Sequence, residues 1–414
     1  TDPEWILHVI HGCVSQNRIN VLGRGVSIVL IARRSRYFAG TRYLKRGVND
    51  QGHVANEVET EQIVYDSTSM NNTQRTGLLT SVVQVRGSVP VFWSHDVVSK
   101  KVIAPKPRVV MGSFDPFFEA SRLHFEDLFR RYGAPTIVLD LLKTREHETE
   151  LRETLVHDAF DQAVTYLNQH LPEDLKIRHI HWDFRSAAKK NIGEALTTLS
   201  VIAETVVDRT KIFCNHRACN TTQELFRVQE SGKEVQDFSL QEGVLRTNCL
   251  DCLDRTNIAQ FMFGKTALAH QLNALGVLEK ASYRGHEDVV QALMDLYDEM
   301  GDNLSLQYGG SKTVSAGVHH RGVSWDILSN IRRFYRNNFQ DSDKQAAMNL
   351  FLGHFIPEPG KPHIWELATD FYLHNTALEF GETSQGMEGT REDWWEAAVW
   401  DFKHPRAVLL RTLS

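Results

Sequence analysis

The chain has 414 residues, 42% hydrophobic and 24% charged, with a formal net charge of −6. That is ordinary globular composition, enough to bury a core, and the charge gives no global sign of attraction to nucleic acid or membranes, so an anionic partner must be held by a local basic cluster. The longest apolar run, around Ile28 to Ala32, is far shorter than the roughly 20 residues of a membrane span, and five cysteines in this length fit a reducing, cytosolic compartment better than a disulfide framework.

The sequence opens at Thr1-Asp2-Pro3 without a methionine or a signal-peptide pattern and reads as a piece of a longer chain. Val26 to Ala32 is a β-branched strand, followed by strands at Val54 to Val64 and Ser81 to Val85, with Gly47-Val48-Asn49-Asp50 as a turn. Lys100 to Pro107 is a proline-broken connector. Beyond it, Phe117 to Tyr132 has helical apolar spacing and Pro135 to Asp140 is a buried strand. Thr149 to His170 then reads as a helix, Ile177 to Trp182 as a strand and Asn191 to Asp208 as a helix. The β-α alternation predicts an α/β fold with a mixed sheet. The expected division is a strand-rich amino-terminal subdomain over 1–110 and a catalytic domain over 111–414 whose last part is helical.

The stretch that carries chemistry is Val244 to Asn257. A short apolar strand at Val244 and Leu245 enters a tight loop, and a helix follows from about Thr256 to Leu275. Cys249 and Arg255 are separated by five residues. A thiol in such a loop, ahead of a helix amino-terminus and beside a guanidinium, ionises at a pKa of about 3.5–7.5. The backbone amides of Leu250, Asp251, Cys252, Leu253, Asp254 and Arg255 can curl round a phosphate dianion. The planar fork of Arg255 grips two phosphate oxygens. Cys249 is therefore the candidate nucleophile, and a leaving alkoxide needs a proton from Asp254 or Asp251. Thr256 could hydrogen-bond the thiolate, with Asn257 and Asn248 flanking the loop. This chemistry requires no metal.

Other readings compete. Cys249-x-x-Cys252 with Cys214, Cys219 and His216 could ligate zinc, although the Cys214 to Cys219 spacing is loose. The same CxxC could be redox-active. The C-x5-R spacing could also be a chance feature of a helix cap.

Arg246 to Asn257 resembles, over its full length, the signature of the SAC-domain phosphoinositide phosphatases. Phe38 to Gly47, Val54 to Gln62, Val85 to Ser94 and Gly301 to Ser311 are similar to other blocks of that family. Ala39 to Gly47, His181-Trp182-Asp183 and Gly360 to Leu367 resemble most closely its endolysosomal polyphosphoinositide phosphatase branch. The resemblance implies removal of the 5-phosphate of phosphatidylinositol 3,5-bisphosphate. It further implies a complex with a lipid kinase and its scaffold, and a cytoplasmic, peripheral place on endosome, lysosome or vacuole membranes. Magnesium would be at most an activator. A scaffold with weak turnover is the alternative within the family. The resemblance also implies that the first subdomain here is incomplete and that a carboxy-terminal extension is largely missing.

Three further features have two readings each. Arg18, Arg24, Arg33, Arg34, Arg36, Arg42, Lys45 and Arg46 could face an anionic membrane, or pair with the run Glu57, Glu59, Glu61. Asp183, at the end of a predicted strand, is a third general-acid candidate or a loop-positioning group. Arg86 is either part of a turn or a contact to the catalytic domain, while Trp394-Trp395 reads as core.

Overall fold

A computed structural model describes residues 7–66, 78–96, 108–112, 115–143, 153–215, 239–248, 250, 254–282, 287–309, 341–367, 369–375, 394–396 and 399. Its centre is an eight-stranded mixed sheet. Strands β1 (Val9–Val21), β2 (Arg24–Ser35), β3 (Val58–Asp66) and β4 (Leu79–Gly87) form an antiparallel meander. The order continues through β10 (Val244–Asn248), β7 (Thr136–Asp140) and β8 (Arg178–His181), all parallel to β4. The two-residue β9 (Phe213–Cys214) pairs with the start of β4, and β5 (Trp93–His95) and β6 (Val109–Met111) form a separate ribbon. This is the α/β architecture with a mixed sheet that the sequence predicts. The sheet is continuous, because β4 hydrogen-bonds directly to β10.

Burial explains the strand sequences. Every residue of β7 (TIVLD) and β10 (VLRTN) is buried, as expected for parallel strands covered on both faces. One face is covered by α1 (Glu119–Tyr132) and α2 (Glu153–Asn168), whose fully buried Phe125, Phe129 and Phe160 meet Val138. Each such ring contributes about 1.5–3 kcal/mol by burial. Trp394 completes this layer against Phe129, and Trp395 donates to the His170 carbonyl, so the tryptophan pair is core as read.

The other face carries α3 (Phe184–Lys190), α4 (Ile192–Thr210), α5 (Asp254–Ala274) and α6 (Glu287–Gly309). Asn191 caps α4 through its side-chain oxygen, accepting from Gly193 and Glu194 amides. Helix α7 (Asp341–Phe351) lies on the segment after β2, where Gln345 accepts from the Thr41 amide at 3.0 Å. The connector expected at Lys100 to Pro107 lies outside the described residues.

Candidate active site at the carboxyl edge of the sheet

The carboxyl ends of β4, β10, β7 and β8 fall on one edge, at Gly87, Asn248, Asp140 and His181. In open α/β sheets, ligands bind outside this edge. The C-x5-R segment follows β10 directly in sequence, and its last two residues begin α5. Cys249, Asp251, Cys252, Leu253 and the Asp254 side chain lie outside the described residues, as do His216 and Cys219. Leu250, Arg255, Thr256, Asn257 and Asn248 are described and define the rim.

Arg255 is in the first turn of α5. Its Nη1 donates to the Leu141 carbonyl at 2.9 Å and to Glu153 Oε2 at 3.3 Å. Glu153 starts α2 and is buried, so the guanidinium is held against the β7 edge by a carboxylate from the opposite layer. The Leu141 amide in turn donates to the Asn248 carbonyl. Arg255 is thereby locked to both strands that flank the loop.

Several polar groups round this edge are buried without hydrogen-bond partners among the described residues. They are the Asn248 side-chain amide, on both its oxygen and its nitrogen, the hydroxyls of Thr247 and Thr256, and Nε and Nη2 of Arg86. Each such group costs about 1–3 kcal/mol if it stays unmatched. Their concentration beside one loop is unusual for a core. Arg86 reaches under α5 from β4 and its Nη1 donates to Asn257 Oδ1. It is a contact between the amino-terminal meander and α5, and not merely a turn residue.

Sequence reasoning missed two contributors. Arg46, buried beside Trp93 and Tyr43, donates from Nη1 to the Leu250 carbonyl and from Nε to His95 Nδ1 at 3.3 Å. The signal was present only as membership of the basic cluster. The second is Glu153, an unremarkable acid in a predicted helix.

The basic cluster divides accordingly. Arg33 pairs with Glu59 at 3.0 Å and Glu61 at 2.6 Å, Arg24 pairs with Asp66, and Lys45 pairs with Asp370 at 2.7 Å. Arg34 is fully buried and donates to Asn56 Oδ1 and the Gly40 carbonyl. These are internal contacts; of the cluster, Arg18 is exposed. Asp183 caps α3, with one oxygen accepting from the Ser186 amide at 2.9 Å and the other from its hydroxyl at 2.7 Å. Cys214 is disulfide-bonded and thus not a thiolate for zinc.

Beside Leu141, Asp140 is completely buried. Its burial would raise the carboxyl pKa, but hydrogen bonds from His157 and from the Leu142 amide lower it to about 2. The hydrogen bond to Asp140 raises the pKa of His157.

Residues 1–189 match the family model of the SacI homology domain. The chain is 39% identical over 428 residues to the Phosphatidylinositol-3-phosphatase SAC1 of Arabidopsis thaliana, covering 90% of this chain and 46% of that protein. It is 42% identical over 365 residues to the Polyphosphoinositide phosphatase of Schizosaccharomyces pombe, covering 86% and 41%. Against the Phosphoinositide phosphatase SAC2 of Arabidopsis thaliana the identity is 37% over 424 residues, covering 92% and 51%. The chain thus spans about half the length of the curated relatives it matches. By these matches the chain is similar to the SAC-family phosphoinositide phosphatases, and its first 189 residues match the SacI homology domain.

Proposed function

We propose that this chain hydrolyses a phosphomonoester on a phosphoinositide headgroup through Cys249. The observation that carries the reading is the ring of buried, unmatched polar groups (Asn248, Thr247, Thr256 and Arg86) flanking a C-x5-R loop at the carboxyl edge of β10. Relatives named phosphoinositide phosphatases support the substrate class.

The steps follow from the residue chemistry. The Cys249 thiolate attacks phosphorus, and the bond from phosphorus to the ring oxygen breaks. Asp254 or Asp251 protonates the departing alkoxide. Arg255 and the amides from Leu250 through Thr256 hold the phosphoryl oxygens, and their positive field favours the thiolate. Water then cleaves the sulfur–phosphorus bond, giving inorganic phosphate and the thiolate again, with the Thr256 hydroxyl donating to sulfur. The attack uses no metal, and magnesium would act as a counter-ion to the headgroup.

The finer substrate is the 5-phosphate of phosphatidylinositol 3,5-bisphosphate. Support comes from the resemblance of Ala39 to Gly47, His181 to Asp183 and Gly360 to Leu367 to the endolysosomal branch. No helix among the described residues is long and apolar enough to cross a membrane, so the substrate would be met at the surface of an endosome, lysosome or vacuole, in a complex with a lipid kinase.

The test is phosphate release from short-chain and vesicle-borne phosphoinositides, with the lipid product identified. Phosphatidylinositol 3-phosphate as product supports the 5-phosphatase reading, and phosphatidylinositol 5-phosphate replaces it with a 3-phosphatase. Cys249→Ser should abolish release while leaving the fold intact, because a serine hydroxyl is hardly ionised at neutral pH. A wild-type chain that binds these lipids without turnover would instead be a scaffold.

A further inference from the structure

We propose that Asp140, His157 and His179 form a binding site for a borderline divalent cation of the zinc class. The site is separate from the Cys249 chemistry. It needs no phosphatase activity to exist, and neither the sequence reading nor the relatives point to it.

Three elements converge on it. Asp140 ends β7, His179 lies on β8, and His157 projects from α2 above them. His157 Nδ1 is 2.9 Å from Asp140 Oδ2, and His179 Nε2 is 3.5 Å from the same oxygen. The three ligand atoms all lie within 4.8 Å of one another. Metal–ligand bonds of about 2.0–2.2 Å place the ligand atoms of a tetrahedral zinc about 3.3–3.6 Å apart. The His179 edge already has that length. The His157 edge must open by about half an ångström, a small swing of a ring that is only partly buried.

The hydrogen-bond pattern favours an ion at this point. The other nitrogen of His179, Nδ1, sits 3.2 Å from Asp161 Oδ1. A proton on Nδ1 donated to Asp161 leaves Nε2 with its lone pair. Metal-bound histidines characteristically donate their second ring nitrogen to a carboxylate in this way. The His179 side chain is 9% exposed, and its Nε2 faces the Asp140 carboxylate without making a hydrogen bond. A lone pair turned on a buried carboxylate is unfavourable, and a cation between them removes the conflict. Asp140 Oδ1 meanwhile accepts from the Leu142 amide at 3.0 Å, which fixes the carboxylate plane. Two imidazoles and one carboxylate select zinc, or a neighbouring first-row ion, over magnesium or calcium, which prefer all-oxygen shells.

The alternative occupant is a second proton on His179, and metal titration separates the two. Zinc chloride is titrated into the metal-stripped chain by calorimetry at neutral pH, and bound metal is counted after dialysis. Cys249→Ser/Cys252→Ser is used as the background so that thiolates cannot bind the ion. The site predicts about one zinc per chain in that background. Asp161→Asn, which touches no metal, should weaken binding about 10- to 100-fold, and His179→Ala should abolish it. His157→Gln, on a partly exposed helix face, supplies a ligand variant that is expected to fold, checked by circular dichroism. Cobalt bound to the same background should show a spectrum without sulfur-to-metal charge transfer. No binding by the double-serine background, or binding that His179→Ala and His157→Gln both leave unchanged, overturns the proposal.

Discussion

Arg46 and Arg255 are both arginines at the C-x5-R segment, and the structure gives them different partners. Arg255 is inside the signature and is tied to Leu141 and Glu153. Arg46 comes from the turn after β2 and holds the Leu250 carbonyl. An error of about 1 Å in such a loop costs on the order of 100-fold in rate. Arg46→Lys keeps the charge but loses the fork that spans Leu250 and His95. The expected result is a fall in kcat of about 10- to 100-fold with KM little changed, measured as phosphate release. A wild-type kcat would show that Leu250 is positioned without it. The C-x5-R signature itself was legible in the sequence because the proposed nucleophile, clamp and proton donors lie within one short segment. Arg46, Glu153 and Leu141 were not, since each is more than a hundred residues from the Arg255 rim or joined to it only through strand pairing.

At the scale of elements, α5 is anchored by a polar seam rather than by grease alone. Thr60, Gln62, Gln84 and Arg86 stand at alternate positions on one face of β3 and β4. Gln62 donates to the Gly264 carbonyl at 3.0 Å and to Gln271 Oε1 at 2.8 Å, and Gln84 donates to the Gln260 carbonyl and Tyr297 hydroxyl, both at 3.0 Å. Buried hydrogen bonds of fixed geometry set the helix register, which apolar contacts would leave free to slide. Gly301 on α6 lets the crossing helix come close: a Cβ there would lie 2.0 Å from Asn257 Nδ2. Gly301→Ala must therefore displace Asn257, the partner of Arg86. We expect a loss of about 1–3 kcal/mol in urea unfolding, with a larger proportional loss of turnover than an unrelated substitution of equal destabilisation. Equal losses would mean that the seam supports the fold and not the site. Sequence periodicity found β2, β7, α1, α2, α4 and α5, because each buries a clear apolar face or run. It missed β1, an edge strand whose centre reads Gln16-Asn17-Arg18, so the period-2 pattern is diluted by solvent-facing polar residues. It also missed the short α3, which is defined by its Asp183 cap more than by apolar spacing.

Across the whole molecule, the residues after β2 are clasped by a segment more than three hundred positions later. Asn49 Nδ2 donates to the His374 carbonyl at 3.1 Å, and Lys45 pairs with Asp370 at 2.7 Å, with side chains 4% and 25% exposed. Burial alone would raise the Asp370 carboxyl pKa. A hydrogen bond from His374 and the Lys45 ammonium outweigh it and hold the group well below the usual carboxylate range. A carboxyl depressed in the folded state stabilises that state at pH values above its unfolded pKa, about 3.9. The contribution is then lost progressively as pH falls below about 4 toward the folded value. Asp370→Asn should cost about 2–3 kcal/mol at pH 7, toward the low side for a broken buried pair because the aspartate is a quarter exposed. The cost should shrink below about pH 4, where the wild-type carboxylate also begins to be neutralised. Amide hydrogen exchange over 38–50 and 341–352, followed from pH 7 down to pH 3, reads this directly, since both segments should open together in the variant. The double variant Lys45→Met/Asp370→Leu, with no charge left to strand, should recover most of the protection. If Asp370→Asn and wild type exchange alike at pH 7, or if the double variant is no better than the single, the clasp rests on α7 packing through Gln345 and Asn349 and not on the ion pair.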